Sequence, residues 1–220
     1  MRDRVIRDEI HKDILVPADH AKIIDTKEFQ RLRLIQQLST CEYVFPAANH
    51  NRFSHSLGAY YLAGCVVDSL NDVQPGLVSS GDGELIQLAA LLHDIGHPPF
   101  SHLLETPEVF ATYHSHEHWG RVLLESEDTE VGAALLEVLG IRRRNRLFAL
   151  LDGMSDFDGE PIPPFMKEIV ASQLDVDRMD YMVRDQANTG AQIGGFDIAR
   201  VIRALRVNDS GHFYVKSWGL

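Results

Sequence analysis

The chain has 220 residues, of which 45% are hydrophobic, and a formal net charge of −11 at pH 7. This length and apolar content allow one substantial core, so we expect a single domain over residues 1–220. The excess negative charge makes nucleic acid an unlikely partner, whereas a small phosphorylated ligand needs only a local group of cations. The charged first residues and the lack of an apolar run of about 20 residues predict a cytoplasmic protein that does not enter a membrane.

Taken in chain order, the sequence begins with two short segments between Val5 and Val16 that predict strands. Helical periodicity dominates the rest of the chain. Asp25, with Glu28 three residues later, has the pattern of a helix start. The predicted helices cover 25–38, 52–70, 84–95, 116–126, 129–139, 142–151, 166–187 and 196–206. A last strand at 212–215 either pairs with the N-terminal hairpin or has lost its partner because the chain is cut. The pattern predicts an all-α helical bundle with small peripheral β-hairpin elements.

His93 and Asp94 stand side by side at the end of an apolar predicted helix. A neutral nitrogen ligand beside an anionic oxygen ligand favours a metal site. His55 upstream and an aspartate downstream are expected to complete it from separate segments. A mixed imidazole and carboxylate set suits Fe, Mn, Zn or Ni better than calcium, which prefers oxygen alone.

The downstream ligand is one of Asp175, Asp177 and Asp180. Asp177 is favoured because Tyr181, Arg184 and Asp185 follow it at four, seven and eight residues, which places the four side chains on one stripe of a helix. That stripe is expected to face a pocket.

Further polar residues are expected around the metal. Arg52, one helical turn before His55, and Arg178 have the charge to hold phosphate oxygens. A second polar group is expected to hold a water, bind a second metal such as Mg or Mn, or protonate a leaving oxygen. Its members are His97, His102, His116 and Glu117.

In these residues the chain resembles the HD superfamily of metal-dependent phosphohydrolases, whose ligand pattern H…HD…D corresponds here to His55, His93, Asp94 and Asp177. It is most similar to the deoxynucleoside triphosphate triphosphohydrolase branch, including members that join a sterile-alpha-motif domain to an HD domain. The segments that carry the resemblance are 25–33, 43–46, 50–58, 93–102, 116–117 and 175–185. The family's C-terminal region has no counterpart within these 220 residues.

The resemblance implies hydrolysis of a deoxynucleoside triphosphate to deoxynucleoside and inorganic triphosphate, in a homo-oligomer. It implies triphosphate and sugar contacts for Arg52, Arg178, Tyr181 and Asp185, and deoxyribose and base contacts for Gln37 and Leu38. It implies a catalytic shell of His102, Glu105, His116 and Glu117, with His102 as the general acid. It also matches Asp25, Gln30 and Arg33 to an activating guanine-nucleotide site between subunits.

Two other functions remain open on the sequence. The same metal site could act on another phosphoester, such as a nucleoside monophosphate, a cyclic dinucleotide or single-stranded nucleic acid. Alternatively, the chain is a nucleotide-sensing module whose metal is structural. The nature of the phosphate product distinguishes the first alternative from triphosphate release, and ligand binding without turnover would indicate the second.

Overall fold

The computed structural model describes residues 2–106, 109, 114–192 and 195–216. Its helices are α1 (Ala18–Ile24), α2 (Lys27–Gln30), α3 (Arg52–Val73), α4 (Ser80–Leu92), α5 (His116–Glu125), α6 (Glu130–Leu151), α7 (Pro164–Val170), α8 (Val176–Thr189) and α9 (Ile198–Ala204). Its strands form antiparallel pairs: β1 (Arg4–Asp8) with β2 (Lys12–Val16), β3 (Asp156–Phe157) with β4 (Glu160–Pro161), and β5 (Leu205–Val207) with β6 (Phe213–Val215). The predicted all-α bundle with small peripheral hairpins is confirmed.

Helix α3 packs against both α4 and α8, and most of its side chains are buried. The Asn51 side chain begins the helix by accepting a hydrogen bond from the Ser54 N–H at 3.1 Å. His55 therefore lies in the first turn of α3, fully buried, where Asp94 from the turn after α4 and Asp180 of α8 both reach it. Among the described residues, no helix combines the length and the apolar character needed to cross a bilayer.

The single helix predicted over 166–187 is wrong, because the structure has two helices, α7 and α8, in its place. Ala171 is extended, which ends α7. The Asp175 carboxylate then accepts hydrogen bonds from the N–H groups of Ser172 and Arg178, at 2.6 and 2.7 Å, and begins α8. The break places Asp177 in the first turn of α8 rather than in the middle of a long helix.

The helix predicted over 25–38 is also wrong in its bounds. Residues 18–24 and 27–30 form α1 and α2, followed by a 3₁₀ turn over 31–34. Ile35 is extended and Gln36 pairs with Asn51 in an isolated β-bridge, so the chain leaves the helix early. This extended stretch carries Gln37 and Leu38 to the wall of the main cavity.

The strand predicted at 212–215 was expected to pair with the N-terminal hairpin or to lack a partner, and both alternatives are wrong. Its partner is β5, which directly precedes it, with Leu205 opposite Val215. The predicted helix over 196–206 ends at Ala204, and its last residues are in β5. In contrast, the break predicted between 139 and 142 is confirmed as a kink in α6 at Gly140, which has a φ of 69°.

Gly96, in the turn after α4, lets the backbone of α5 pack directly against the backbone of this turn. A Cβ at position 96 would collide with the carbonyl oxygen of His116 and the backbone nitrogen of Gly120. The same approach stacks the imidazole of His116 on that of His97, with ring centroids 3.8 Å apart. Gly96 therefore positions histidines from two segments beside each other.

We expect Gly96→Ala to lower the free energy of unfolding by about 1–3 kcal/mol, because the backbone of α5 must move away from the added methyl group. Gly81→Ala is the matched control, since a Cβ at Gly81, in the first turn of α4, would meet no atom closer than 3.9 Å. The control should be neutral or slightly stabilising. Denaturant unfolding measures both, and equal stability of the two variants would contradict this packing.

Candidate metal centre

Side chains from α3, from α8 and from the turn after α4 meet at one point. The Nε2 atom of His55 lies 3.0 Å from Oδ1 of Asp177, and Nε2 of His93 lies 3.6 Å from the same oxygen. These three ligand atoms all lie within 4.8 Å of one another. Nitrogen and oxygen ligands bound at about 2.0–2.2 Å from one ion lie roughly 3–3.6 Å apart, so the spacing fits a shared cation.

Both imidazoles present an unprotonated Nε2 to this point when they are neutral. His55 donates its Nδ1–H to Asp180 at 2.8 Å, and His93 donates its Nδ1–H to the Ala90 carbonyl at 2.8 Å. The Nε2 atoms of His55 and His93 are buried and have no hydrogen-bond partner. Two buried nitrogen lone pairs that converge without a donor are the arrangement expected of metal ligands whose tautomer is fixed from behind.

Asp94 contributes a carboxylate that several groups share. Its Oδ1 lies 3.4 Å from Nε2 of His93, and its Oδ2 lies 3.7 Å from Nε2 of His55. Arg52 donates to Oδ2 through Nη1, while Nε2 of His97 lies 3.3 Å from Oδ1. Asp94 therefore faces both imidazoles and also holds the cationic side chain of Arg52 at the centre.

The other two candidate aspartates have different positions. Asp175 caps α8 through Oδ1, which accepts from the Arg178 N–H, and its Oδ2 accepts from the N–H of Ser172. Asp180 lies behind His55, on the side of Nδ1. Of the three, Asp177 alone meets the Nε2 atoms of His55 and His93, and its metal role remains a proposal that this geometry supports.

Without a bound cation, the carboxylates shift the pKa values of both imidazoles. Burial alone would lower the pKa of His55, but the neighbouring carboxylates of Asp177 and Asp180 raise it to about 10. Burial likewise opposes the charge on His93, but Asp94 and Asp177 raise its pKa to about 9. The pKa of Asp94 lies well below its usual range, because the neighbouring histidines and Arg52 outweigh the effect of burial. The centre therefore favours a positive occupant.

A cavity of about 960 Å³ opens beside this centre. Neither His55 nor Glu105 is among the residues that line it. The predicted residues that line the cavity are Gln37, Leu38, Arg52, His93, Asp94, His97, His102, His116, Glu117, Asp177, Arg178, Tyr181 and Asp185. The structure thus brings together almost all of the residues predicted for substrate and catalysis, whose individual roles remain predictions.

Next to the centre, the Glu105 carboxylate joins two histidines of the cavity wall. It accepts a hydrogen bond from Nδ1 of His102 at 2.8 Å and from the backbone N–H of His116 at 2.6 Å. His102 is largely exposed to the cavity, and His97 is buried and stacks on His116. Burial lowers the pKa of His97 to about 4, so this imidazole is neutral at physiological pH. The side chain of Glu117 is mostly exposed and lies 3.5 Å from Nε2 of His116.

Residues of α8 form another wall of the cavity. The Arg178 guanidinium donates to the Ser172 carbonyl at 3.0 Å and to the Tyr181 hydroxyl at 3.3 Å. Asp185 is hydrogen-bonded to Nε2 of His50 at 2.8 Å. His50 was not predicted as a site residue, and no sequence pattern singles it out beyond its place in the histidine-rich segment.

The prediction that Arg184 shares the pocket-facing stripe is wrong. Arg184 is fully buried and pairs with Asp180 and with Asp8 from the N-terminal hairpin. The helix positions its side chain away from Asp177, against the other side of α3. The support that this network gives to His55 was missed from the sequence, because the hairpin and α8 are about 170 residues apart.

The residues matched to an activating nucleotide lie outside the cavity. Asp25 pairs with Arg4 at 2.5 Å, and Gln30 donates to the Ile24 carbonyl at 2.8 Å. Arg33 donates to the Gln30 side chain at 2.7 Å and stacks over the Phe53 ring. These contacts hold the three residues on the α1–α2 surface, and their role in nucleotide binding stays a prediction.

We expect the protein to bind one divalent transition-metal ion at this centre, and the double variant His93→Ala, Asp94→Ala to bind none there. His118→Ala is the control, because His118 is exposed on α5 and stacks on His114 away from the centre. Metal content after dialysis measures the effect. Full metal retention in the double variant would refute the ligand assignment.

Metal affinity should fall as the pH is lowered from about 9 to 6. At pH 7 the raised pKa values of His55 and His93 keep both imidazoles protonated in the metal-free protein, and a ligand nitrogen must lose its proton to bind. For each proton that is released on binding, the metal affinity falls about tenfold when the pH is lowered by one unit in this range. Calorimetry in buffers of different ionisation enthalpy counts the released protons, and an affinity independent of pH would contradict this interpretation.

Comparisons with known proteins agree with this geometry. Human deoxynucleoside triphosphate triphosphohydrolase SAMHD1 is 38% identical over 229 residues, which cover 93% of this chain and 36% of that protein. An uncharacterized protein of Methanocaldococcus jannaschii is 37% identical over 94% of this chain and 39% of its own length. This chain therefore spans well under half the length of these two curated relatives.

Solved structures show the same fold. A phosphohydrolase from Bacteroides thetaiotaomicron superposes with a TM-score of 0.83 and 32% identity, over 98% of this chain and 50% of that chain. A hypothetical protein from Aquifex aeolicus gives a TM-score of 0.82 and 33% identity, over 99% and 55% of the two chains. The HD domain profile matches residues 52–185, from Arg52 at the start of α3 to Asp185 in α8. The resemblance inferred from the sequence motifs is thereby confirmed, and the chain belongs to the HD domain family.

Proposed function

We propose that this chain is a metal-dependent phosphohydrolase that cleaves deoxynucleoside triphosphates into deoxynucleoside and inorganic triphosphate. One observation carries the proposal: a single cavity joins the His55–His93–Asp177 cluster to a wall that bears cations and a pair of histidines held by Glu105. The named activities of the human relative and of the B. thetaiotaomicron structure support the same class of reaction.

The cavity wall carries cationic residues that would hold a polyphosphate, beside carboxylates of which Asp94 and Asp177 belong to the metal centre. The cationic residues that line it are Arg52, Arg121, Lys167 and Arg178. In a chain of net charge −11, such a local group is what attracts a compact anion to this place. Arg178 is half-exposed, so its guanidinium has room to turn from Ser172 and Tyr181 towards a phosphate.

His55, His93, Asp94 and Asp177 would hold the divalent ion. When bound, the ion neutralises phosphate charge and supplies an activated water. Arg52, fixed by Asp94 and by the Ser101 hydroxyl at 2.9 Å, would stabilise the negative charge that develops on the phosphoryl oxygens. Because Arg52 lies beside the metal ligand Asp94, it would be next to the phosphorus that is attacked.

His102 would serve as the general acid. In the reaction, the oxygen of water bonds to the α-phosphorus, the bond from this phosphorus to the 5′-oxygen breaks, and the proton that the water loses balances the proton that the 5′-oxygen gains. His102 would give a proton to the departing 5′-oxygen, while Glu105 holds the ring through Nδ1 and leaves Nε2 towards the cavity. Glu105 also fixes His116, so one carboxylate orients both histidines.

The sugar and base would lie against the wall formed by Gln37 and Leu38 and by Tyr181 and Asp185. The Oε1 atom of Gln37 is buried without a hydrogen-bond partner, which is consistent with an acceptor reserved for a ligand. A homo-oligomer and an activating nucleotide at Asp25, Gln30 and Arg33 are further parts of the proposal that only the resemblance supports.

Product analysis tests the substrate class. The metal-replete protein is incubated with each dNTP and NTP, alone and in mixtures, because a second nucleotide could act as activator. We expect inorganic triphosphate and deoxynucleoside from the dNTPs. Orthophosphate from nucleoside monophosphates, or cleavage of cyclic dinucleotides or oligonucleotides instead, would favour the alternative phosphoester. Nucleotide binding without turnover of any substrate would favour the sensing module.

We expect His102→Gln to lower kcat by about 10²–10⁴-fold while metal content stays unchanged, because the variant loses the proton donor but no metal ligand. Arg178→Ala should mainly raise KM. Arg142→Ala is the control for charge, since Arg142 is exposed, pairs with Glu160 and does not line the cavity. Steady-state kinetics separates these effects, and an unchanged kcat in His102→Gln would remove His102 from the reaction.

A further inference from the structure

The turn of the N-terminal hairpin reaches the metal centre through one side chain. His11, between β1 and β2, lies with Nε2 2.7 Å from Oδ1 of Asp180, and its side chain is only 6% exposed. Asp180 in turn accepts the Nδ1–H of His55 at 2.8 Å through its other oxygen. The hairpin is thus two hydrogen bonds away from the nitrogen that His55 offers to the metal.

The Asp180 carboxylate has no spare acceptor capacity. Arg184 donates to it through Nε at 2.8 Å and through Nη2 at 2.9 Å, in addition to the bonds from His11 and His55. Four donors fill the lone-pair sites of a carboxylate. Because Asp180 is fully buried and paired with Arg184, it can only accept, so the Nε2 atom of His11 must donate. His11 and His55 therefore hold opposite ends of one carboxylate.

The hairpin is built to aim His11 at this carboxylate. Oδ1 of Asp8 accepts the backbone N–H groups of Ile10 and His11 at 2.9 and 2.8 Å, which shapes the turn. Oδ2 of the same residue accepts a hydrogen bond from Nη1 of Arg184 at 3.0 Å. The turn is thereby fixed to the guanidinium that also holds Asp180.

The opposite side of the carboxylate is closed by α3. A Cβ at Gly58, one turn after His55, would collide with Oδ1 of Asp180. The carboxylate is therefore packed against the backbone of α3, and its rotation is limited by this contact and by its four donors. If the His11 donor is lost, Oδ1 keeps only its bond from Arg184, and one buried lone-pair site is left without a donor. The carboxylate is then held less firmly in its present orientation.

We propose that His11 is a positioning residue of the metal centre, which holds Asp180 so that Asp180 fixes the tautomer and ring orientation of His55. The inference rests on the metal centre proposed above. His11 touches neither the ion site nor the cavity wall, and it acts through Asp180 alone. Groups that orient metal-binding histidines in this way contribute about 10–100-fold to metal affinity.

His11 also packs against a neighbour, and this second role must be separated from the first. Its ring lies 5.2 Å from that of Tyr61, tilted by 30°. His11→Phe keeps a ring beside Tyr61 but removes the donor. His11→Gln removes the ring but keeps an N–H that can reach Asp180. His11→Phe therefore tests the loss of the hydrogen bond alone, and His11→Gln tests the loss of the ring packing alone.

The experiment measures the Kd for Mn²⁺ and Zn²⁺ of the wild type and both variants by competition with a chromophoric chelator, together with the thermal unfolding of each metal-free protein. We expect His11→Phe to bind each metal about 10–100-fold more weakly than the wild type, and His11→Gln to stay within about threefold of it. The melting temperatures of the metal-free proteins need not follow this order.

Weak binding in His11→Gln with normal binding in His11→Phe would show that the ring only packs, and would overturn the proposal. Equal affinity in all three proteins would overturn it as well. If His11→Phe does not fold, His11→Leu replaces it, and failure of both donor-free variants to fold would assign His11 to stability instead. Lack of metal binding by the wild type would refute the proposed centre itself, which is a separate result.

Discussion

The hydrogen bond between Nδ1 of His55 and Asp180 is the contact on which the candidate site depends. It is made inside the core, where α3 and α8 pack together, and it turns the Nε2 lone pair of a fully buried imidazole towards Asp177 and His93. A buried histidine nitrogen without a partner is costly unless a ligand satisfies it. The packing of two helices and the binding of a cation are therefore parts of the same arrangement.

The distribution of charge also favours a cation at this centre. The chain is acidic overall, and around the Nε2 atoms it concentrates carboxylates that raise the pKa of both histidines. A few ångströms away, Arg52 is held by Asp94 at the edge of the cavity. A cation is thus favoured at one point and a phosphate beside it, which is the electrostatic requirement of phosphoester hydrolysis.

Much of this could be predicted from the sequence, because the ligands lie in short motifs and helical periodicity marks the core. Predictions failed where a local cap overrides periodicity, as at Asp175, or where a backbone pairing ends a helix early, as at Gln36. The role of His11 was not predictable, since a histidine in a hairpin turn carries no pattern and its partner Asp180 is 169 positions away. Contacts of that kind exist only after folding.

The proposed hydrolysis depends on one ion that is shared by His55, His93, Asp94 and Asp177. Anomalous diffraction from crystals grown with Mn²⁺ or Zn²⁺ tests it most directly. We expect one strong peak about 2.0–2.4 Å from the Nε2 atoms of both histidines and from an oxygen of each aspartate. A peak confined to the cluster of His97, His102, Glu105 and His116, or no ordered ion at all, would contradict it.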